Sequence, residues 1–140
     1  MSIQKLNPYL VFNGDDEKAI RLYERALGAT TEGLMRFGEV PGSTIPSEHR
    51  NRVTHAQLHI GGGVVMVSDS MPGEPAPAGS NVQVALDFDD VEEMKQRFDA
   101  LAADGKVQMP PQETFWGATF GMLTDAFGVG WMLNCYKKKG

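Results

Sequence analysis

The spacing of hydrophobic and polar positions changes along the chain, and the same order of spacings occurs twice. Residues 9–12 form a short apolar run that is typical of a strand. Apolar residues then recur at intervals of three and four, which predicts a helix over residues 15–27. Asp15 or Asp16 is placed to cap the start of this helix, and Gly28 follows its end, where a positive φ is favoured.

Three more strands are predicted in the first half, over residues 31–39, 53–60 and 64–68. The last two are joined by three consecutive glycines, which predicts a hairpin. A polar loop with two prolines, residues 41–51, separates the first two. Because an insertion of this length in a compact domain is often functional, we expect this loop to act as a lid or as an arm that reaches a second subunit.

The second half repeats this order after a linker rich in proline and glycine. It contains a predicted strand over residues 82–88, a helix from Asp90 whose apolar stripe ends at Leu101, and strands over residues 115–124 and 129–136. Asp90 and Glu93 resemble a capping box. Adding 75 to the number of Asp15 gives Asp90, which supports a duplicated module. The alternative is two unrelated strand-helix-hairpin units.

The sequence therefore predicts one α+β domain over residues 1–140. Module one covers residues 1–70, the linker covers residues 71–80 and module two covers residues 81–136. With 41% hydrophobic and 22% charged residues, the chain has the composition of a globular protein with a real core.

Charge and cysteine content narrow the classes of partner and compartment. The net charge of −5 disfavours nucleic acid and anionic membrane surfaces as partners. Cys135 is the single cysteine, so no intramolecular disulfide forms and a reducing compartment is indicated. The longest apolar run, residues 61–67, is too short to span a bilayer, and the first residues do not read as a signal peptide. We therefore expect a cytoplasmic protein.

Several local motifs point to a family. They are Pro8-Tyr9-Leu10-Val11-Phe12-Asn13-Gly14, His55-Ala56-Gln57-Leu58, Thr114-Phe115-Trp116-Gly117 and Thr124-Asp125-Ala126-Phe127-Gly128-Val129-Gly130-Trp131. Together with a repeated βαβββ order, they resemble the PhnB-like branch of the vicinal-oxygen-chelate superfamily, which includes glyoxalase I, bleomycin-resistance proteins and extradiol dioxygenases. The resemblance implies a glyoxalase-like fold, in which the two modules form a half-open barrel around a cavity. It also implies a homodimer.

The resemblance further implies a divalent metal held by His, Glu or Gln side chains at four positions. When glyoxalase I is laid onto this chain by its helix and turn landmarks, these positions fall at Pro8, near Met66, at Gln83 and at Met132. A slip of register would move the first to Asn7 or Tyr9 and the last to Trp131 or Leu133. Only Gln83 offers a suitable oxygen donor. We therefore expect no cofactor and no tight metal site, with a divalent metal in a rearranged site as the alternative.

Other residues are candidates for contact with a ligand. Strand alternation places His55, Gln57 and His59 on one face, where the imidazoles are able to flank a metal or polarise a ligand oxygen. Trp116 and Phe120 lie at the mouth of a predicted hairpin, where they form either an aromatic wall or part of the core. The full set of predicted ligand-binding residues is His55, Gln57, His59, Met66, Gln83, Trp116, Phe120 and Met132.

Three functions are compatible with this pattern. The first, favoured by the missing metal ligands, is a protein that binds a small molecule in the cavity, as resistance proteins that sequester drugs do. The second is a metal-dependent lyase, isomerase or dioxygenase whose rearranged site uses His55, His59 or Gln83. The third is an interaction module with a residual cavity. The sequence does not decide whether a reaction is catalysed.

Overall fold

The structure, a computed structural model, describes residues 2–71, 73–77 and 81–136. The chain divides into two compact units, Met1–Pro77 and Ala78–Gly140. In the first unit the elements are β1 (Tyr9–Phe12), α1 (Asp16–Leu27), β2 (Thr30–Arg36), β3 (Val53–Ile60) and β4 (Gly63–Asp69). In the second unit they are β5 (Val84–Phe88), α2 (Val91–Leu101), β6 (Lys106–Glu113), β7 (Ala118–Thr124) and β8 (Gly130–Tyr136). Residues 72 and 78–80 of the predicted linker lie outside the described residues.

The two units have the same topology. Each forms one four-stranded sheet, with strand order β1-β4-β3-β2 in the first unit and β5-β8-β7-β6 in the second. β1 pairs in parallel with β4, and β5 pairs in parallel with β8, whereas the other pairs are antiparallel. The βαβββ order therefore occurs twice, as the duplicated pattern of the sequence predicts.

The helix of each unit supplies much of its hydrophobic core. The apolar stripe of α1 is buried together with alternate residues of β3 and β4, namely Ala56, Leu58, Val65 and Val67. In the second unit, the buried residues of α2 are matched by those of β8, which are Trp131, Leu133 and Cys135. Because strand side chains alternate between the two faces, the residues between these positions lie on the opposite face of each sheet.

The start of α1 differs from the prediction. Neither Asp15 nor Asp16 caps the helix through its side chain. Instead the carboxylate of Asp69, at the end of β4, accepts hydrogen bonds from the backbone N–H groups of Gly14 (2.8 Å) and Asp16 (3.0 Å). The cap therefore comes from a residue more than fifty positions away, which local spacing does not reveal. Gly28 ends the helix at a φ of 68°, as predicted.

In the second unit, two aspartates fix the backbone locally. Asp90 caps α2 by accepting a hydrogen bond from the N–H of Glu93 (3.0 Å), which confirms this half of the capping box. Asp125 is buried in the turn before β8, where one oxygen accepts from the N–H of Val129 (3.1 Å) and the other from the indole N–H of Trp131 (2.9 Å).

One strand of the structure was not predicted. β6 contains Pro110 and Pro111, which read as strand breakers in the sequence. It is an edge strand with shifts of register against β7, and proline is tolerated at such positions. The strand predicted over residues 115–124 begins later in the structure, as β7 at Ala118, because residues 115 and 116 form a turn. Among the described residues, no helix combines the length and the apolar sequence that a membrane span requires.

Candidate functional site

Each sheet has one face that does not carry the helix of its unit, and this face is called the open face. On the first sheet, it is formed by Tyr9 from β1, Glu32 from β2, His55, Gln57 and His59 from β3, and Met66 from β4. On the second sheet, it is formed by Ala85 and Asp87 from β5, Phe120 and Met122 from β7, and Met132 and Asn134 from β8. Trp116 precedes β7 and contacts Phe120.

The three polar residues of β3 share a face, as the alternation of the sequence predicts. His55, Gln57 and His59 are each half-buried, whereas Ala56 and Leu58 between them are completely buried. His55 and His59 are separated by four residues of one strand, a rise of about 13 Å at roughly 3.3 Å per residue. The two imidazoles are therefore too far apart to hold one ion together.

Four strands contribute neighbouring residues in a single row across the first open face. Glu32 pairs with Gln57, Gln57 pairs with Met66, and Met66 pairs with Tyr9. Cross-strand neighbours of this kind have Cβ atoms about 5 Å apart, so the four side chains form one continuous surface. Tyr9 and Glu32 were not among the predicted site residues, because the register between strands is not visible in the sequence.

The two histidines differ in their partners. The Nε2 atom of His59 lies 2.7 Å from a carboxylate oxygen of Glu32, and both side chains are substantially exposed. The ring of His55 lies 6.3 Å from the ring of Tyr9 at a tilt of 40°. Neither His55 nor Gln57 has a side-chain hydrogen bond to the part of the chain that the structure describes. These two half-buried polar groups are therefore available to a ligand.

The second open face is richer in apolar and polarisable side chains. One row of paired residues runs Ala85, Met132, Met122 and Met109 across β5, β8, β7 and β6. The next row runs Asp87, Asn134, Phe120 and Gln112. Thioether side chains adapt their shape to irregular apolar partners. The methionines thus form an apolar surface of adaptable shape, and the polar groups of Asp87, Asn134 and Gln112 lie beside it.

A tight turn presents two aromatic residues beside this surface. The N–H of Thr114 donates to the carbonyl of Ala118 (2.8 Å), and Gly117 provides the positive φ of 81° that the turn requires. Trp116, which is 46% exposed, contacts Phe120 edge to face at 5.7 Å, and Phe115 is almost fully exposed. Trp116 thus lies in the turn between β6 and β7 and Phe120 lies within β7, whereas the sequence placed both on one strand of a predicted hairpin.

Gln83 stands apart from the paired rows. It precedes β5 and is exposed, and its side chain lies against Gly130 at the start of β8, where a Cβ would be 3.2 Å from its Cγ. Of the eight predicted ligand-binding residues, four belong to the first unit (His55, Gln57, His59 and Met66) and four to the second (Gln83, Trp116, Phe120 and Met132). Sequence reasoning missed Met122 on β7 and Asn134 on β8. Both strands were predicted, but the sequence does not show which residues are neighbours across them.

The loop over residues 41–51 is held at its base. The guanidinium of Arg36 donates to the carbonyl of Asn51 (2.9 Å) and binds the carboxylate of Glu17 through both terminal nitrogens. The N–H of Phe37 donates to the carbonyl of Arg52 (2.9 Å). Hydrogen bonding to Arg36 lowers the pKa of Glu17, so this ion pair persists at neutral pH. Its role as a lid or arm remains a prediction.

Comparison with known proteins identifies the family. A model of the Glyoxalase/Bleomycin resistance protein/Dioxygenase superfamily matches residues 5–133. The chain belongs to this superfamily. Protein YjdN of Escherichia coli (strain K12) is 42% identical to it over 143 residues, which cover 96% of this chain and 97% of YjdN.

Solved structures of similar proteins agree with the fold. Protein PA1353 from Pseudomonas aeruginosa has a TM-score of 0.85 and 41% identity, with coverage of 96% of this chain and 98% of that chain. The PhnB protein from Bacillus cereus has a TM-score of 0.75 and 25% identity, with coverage of 94% and 99%. The predicted glyoxalase-like α+β fold and the PhnB-like resemblance are therefore confirmed.

The side chains at the four implied metal positions do not suit the metal of this superfamily. The N–H of Met66 donates to the carbonyl of Pro8 (2.9 Å), and Met132 pairs with Ala85. Thioethers favour soft metals, and proline has no side-chain donor, which leaves the oxygen of Gln83. Within residues 2–71, 73–77 and 81–136, no group of three His, Cys, Asp or Glu side chains is placed to hold a metal ion. This donor set does not match a divalent ion that prefers nitrogen and oxygen ligands.

Proposed function

We propose that this protein binds a small organic molecule on the open faces of its βαβββ modules, and that it does so without the usual divalent-metal site. The observation that carries this proposal is the state of His55 and Gln57. Both are half-buried at the centre of a sheet face, and neither has a hydrogen-bond partner in the described chain. The polar atoms of these side chains are free to pair with a ligand, and each hydrogen bond so formed stabilises the bound state.

The chemistry of the two faces defines the kind of ligand. The first face offers imidazole, amide and phenol groups, which bind oxygen or nitrogen atoms through hydrogen bonds. The second offers Met122, Met132, Phe120 and Trp116, which bind apolar or aromatic groups. Small-molecule sites commonly combine an apolar surface with a few polar groups that fix orientation. The first face alone also carries the thioether of Met66 and the ring of Tyr9, so an organic molecule with polar and apolar parts is the proposed ligand class.

A ligand screen tests this proposal. Thermal shift against a panel of aromatic and polar small molecules is expected to find compounds that stabilise the wild-type protein. For such a compound, His55→Ala is expected to weaken binding about tenfold, because a hydrogen bond to a polar group contributes roughly 1–1.5 kcal/mol. Lys18→Ala is the control, since Lys18 is exposed on α1, the helix that covers the opposite face of the same sheet.

Trp116 supplies an independent spectroscopic readout. It is 46% exposed, whereas Trp131, the second tryptophan of the chain, is completely buried. A ligand on the second open face is expected to change the emission of Trp116, and this change should vanish in Trp116→Phe. The proposal is wrong if no panel member stabilises the protein. It is also wrong if each stabilising compound binds His55→Ala and Lys18→Ala equally well and leaves Trp116 emission unchanged.

A further inference from the structure

Asp16 is a completely buried carboxyl group at the first position of α1. Neither of its carboxyl oxygens has a hydrogen-bond partner among the described residues. A buried polar atom without a partner is rare in native proteins and calls for a physical explanation. The explanation lies in how the neighbouring hydrogen-bond donors are used.

The backbone donors at this corner are taken by another carboxylate. Asp69 accepts hydrogen bonds from the N–H groups of Gly14 (2.8 Å), Asp16 (3.0 Å) and Val53 (3.0 Å). An anion at this position is stabilised by the N-terminus of α1. The carboxyl of Asp16 is left with neither donors nor solvent, beside a group that already carries the negative charge.

The other charged groups of the surrounding elements do not compensate Asp16. Glu17 on the same helix is itself negative, and Arg36 from β2 is engaged with Glu17 at 3.0 Å. The guanidinium of Arg52, just before β3, donates to the carbonyl of Ser70 (3.2 Å). β1 contributes no acidic or basic side chain apart from the phenol of Tyr9. Burial, followed by the charges of Asp69 and Glu17, raises the pKa of Asp16 to about 7.

We propose that Asp16 is a proton switch, which is neutral in the folded protein below neutral pH and which loosens the start of α1 when it ionises. A negative charge on Asp16 would lie in a buried place next to Asp69, so ionisation favours opening of this corner. The switch is a property of the first βαβββ unit and does not depend on the proposed ligand.

The same corner anchors the chain that follows β4. Asn13, three residues before Asp16, accepts hydrogen bonds through its carbonyl oxygen from the N–H of Ala76 (2.7 Å) and the hydroxyl of Ser70 (3.0 Å). Its amide group donates to the carbonyl of Ala76 (3.1 Å). Opening of the helix start therefore releases the segment over residues 73–77 as well. Ionisation of Asp16 is expected to appear as a lower protection factor against hydrogen exchange at the Ala76 amide.

The pH dependence has a defined sign. Between the ordinary pKa of 3.8 and the raised value of about 7, the folded protein binds a proton that the unfolded chain has lost. Stability therefore falls as the pH rises through this window and becomes level above it. From pH 5 to pH 8, this single group is expected to lower the folding equilibrium constant about a hundredfold.

Asp16→Asn tests the proposal, because it keeps the shape of the side chain and cannot ionise. The matched control is Asp15→Asn, which makes the same change of charge at the adjacent exposed residue. In urea unfolding, the ratio of folding constants for Asp16→Asn and wild type is expected to rise about a hundredfold from pH 5 to pH 8. For Asp15→Asn, this ratio should change less than about threefold.

A carboxyl titration followed by NMR in the folded wild type gives a second, independent readout. A midpoint near pH 7 for Asp16, accompanied above that pH by a fall in the protection factor of the Ala76 amide relative to its base-catalysed intrinsic exchange, supports the switch. A midpoint near 4 overturns it, even if Asp16→Asn does not fold. Equal pH profiles for Asp16→Asn and Asp15→Asn overturn it as well.

Discussion

Asp69 joins three segments of the first unit through one carboxylate. It lies at the end of β4 and binds the backbone of the turn before α1, the first residue of α1 and the first residue of β3. The side chain is 4% exposed, so these hydrogen bonds form away from water. Since hydrogen bonds to a charged acceptor are stronger than those between neutral groups, this residue organises the corner at which β1, α1, β3 and β4 meet.

Asp69→Asn is expected to lower the free energy of unfolding by about 2–4 kcal/mol. The amide retains a single acceptor oxygen, so at least one buried backbone N–H loses its partner. Asp90→Asn is the control, since Asp90 accepts one exposed hydrogen bond at the start of α2 and asparagine caps helices well. Its expected cost is less than about 1 kcal/mol. Urea denaturation of both variants measures the difference, and equal losses would contradict the role given to Asp69.

At the scale of secondary structure, close packing in the second unit depends on a small residue in β7. A Cβ on Gly121 would lie 2.8 Å from Cε2 of Phe98 in α2 and 3.2 Å from the carbonyl oxygen of Met109 in β6. Glycine at this position lets the helix and the edge strand both approach β7. The sequence alone does not indicate why this strand contains a glycine.

Gly121→Ala is therefore expected to destabilise the protein by about 1–3 kcal/mol, because the ring of Phe98 must move within a packed core. Gly62→Ala is a suitable control, as no atom lies within 4 Å of its Cβ position and its φ is not positive. Thermal unfolding should show that the free energy of unfolding of this control differs from that of the wild type by less than about 0.5 kcal/mol. A Gly121→Ala protein as stable as Gly62→Ala would mean that the core adapts to the added methyl group.

At the scale of the whole molecule, the side chains of this chain do not supply the metal ligands that its superfamily membership would lead one to expect. The superfamily is associated with a divalent metal, whereas the four implied positions hold Pro8, Met66, Gln83 and Met132. The homodimer, implied by the family resemblance, remains a prediction that also agrees with the frequency of two-fold dimers among oligomers.

Native mass spectrometry of protein purified without chelators addresses both points in one measurement. We expect the mass of two subunits without bound metal, because the available side chains do not supply the nitrogen and oxygen ligands of a tight divalent site. Elemental analysis of the same sample provides the check on metal content. One divalent ion retained per subunit would contradict the metal-free proposal and would support the rearranged, metal-dependent site.

The local pattern of the sequence was sufficient for most of the fold. It predicted α1 and α2 from their apolar stripes and all strands except β6, and the repeated order predicted two equivalent modules. β6 was missed because Pro110 and Pro111 are strand breakers in a central strand but are tolerated at an edge. Whether a strand lies at an edge is a property of the sheet and not of the segment.

The motifs of the sequence carried the resemblance to the family. The sequence by itself also determined the helices and the common face of His55, Gln57 and His59, because these depend on spacing between nearby residues. The tertiary structure decided which residues meet across strands. It placed Glu32 beside His59 and Tyr9 beside Met66, and it brought Asp69 to the start of α1, which leaves Asp16 without a donor. Cross-strand register and burial arise from contacts between distant segments, so their consequences for binding and for ionisation appear when the chain is folded.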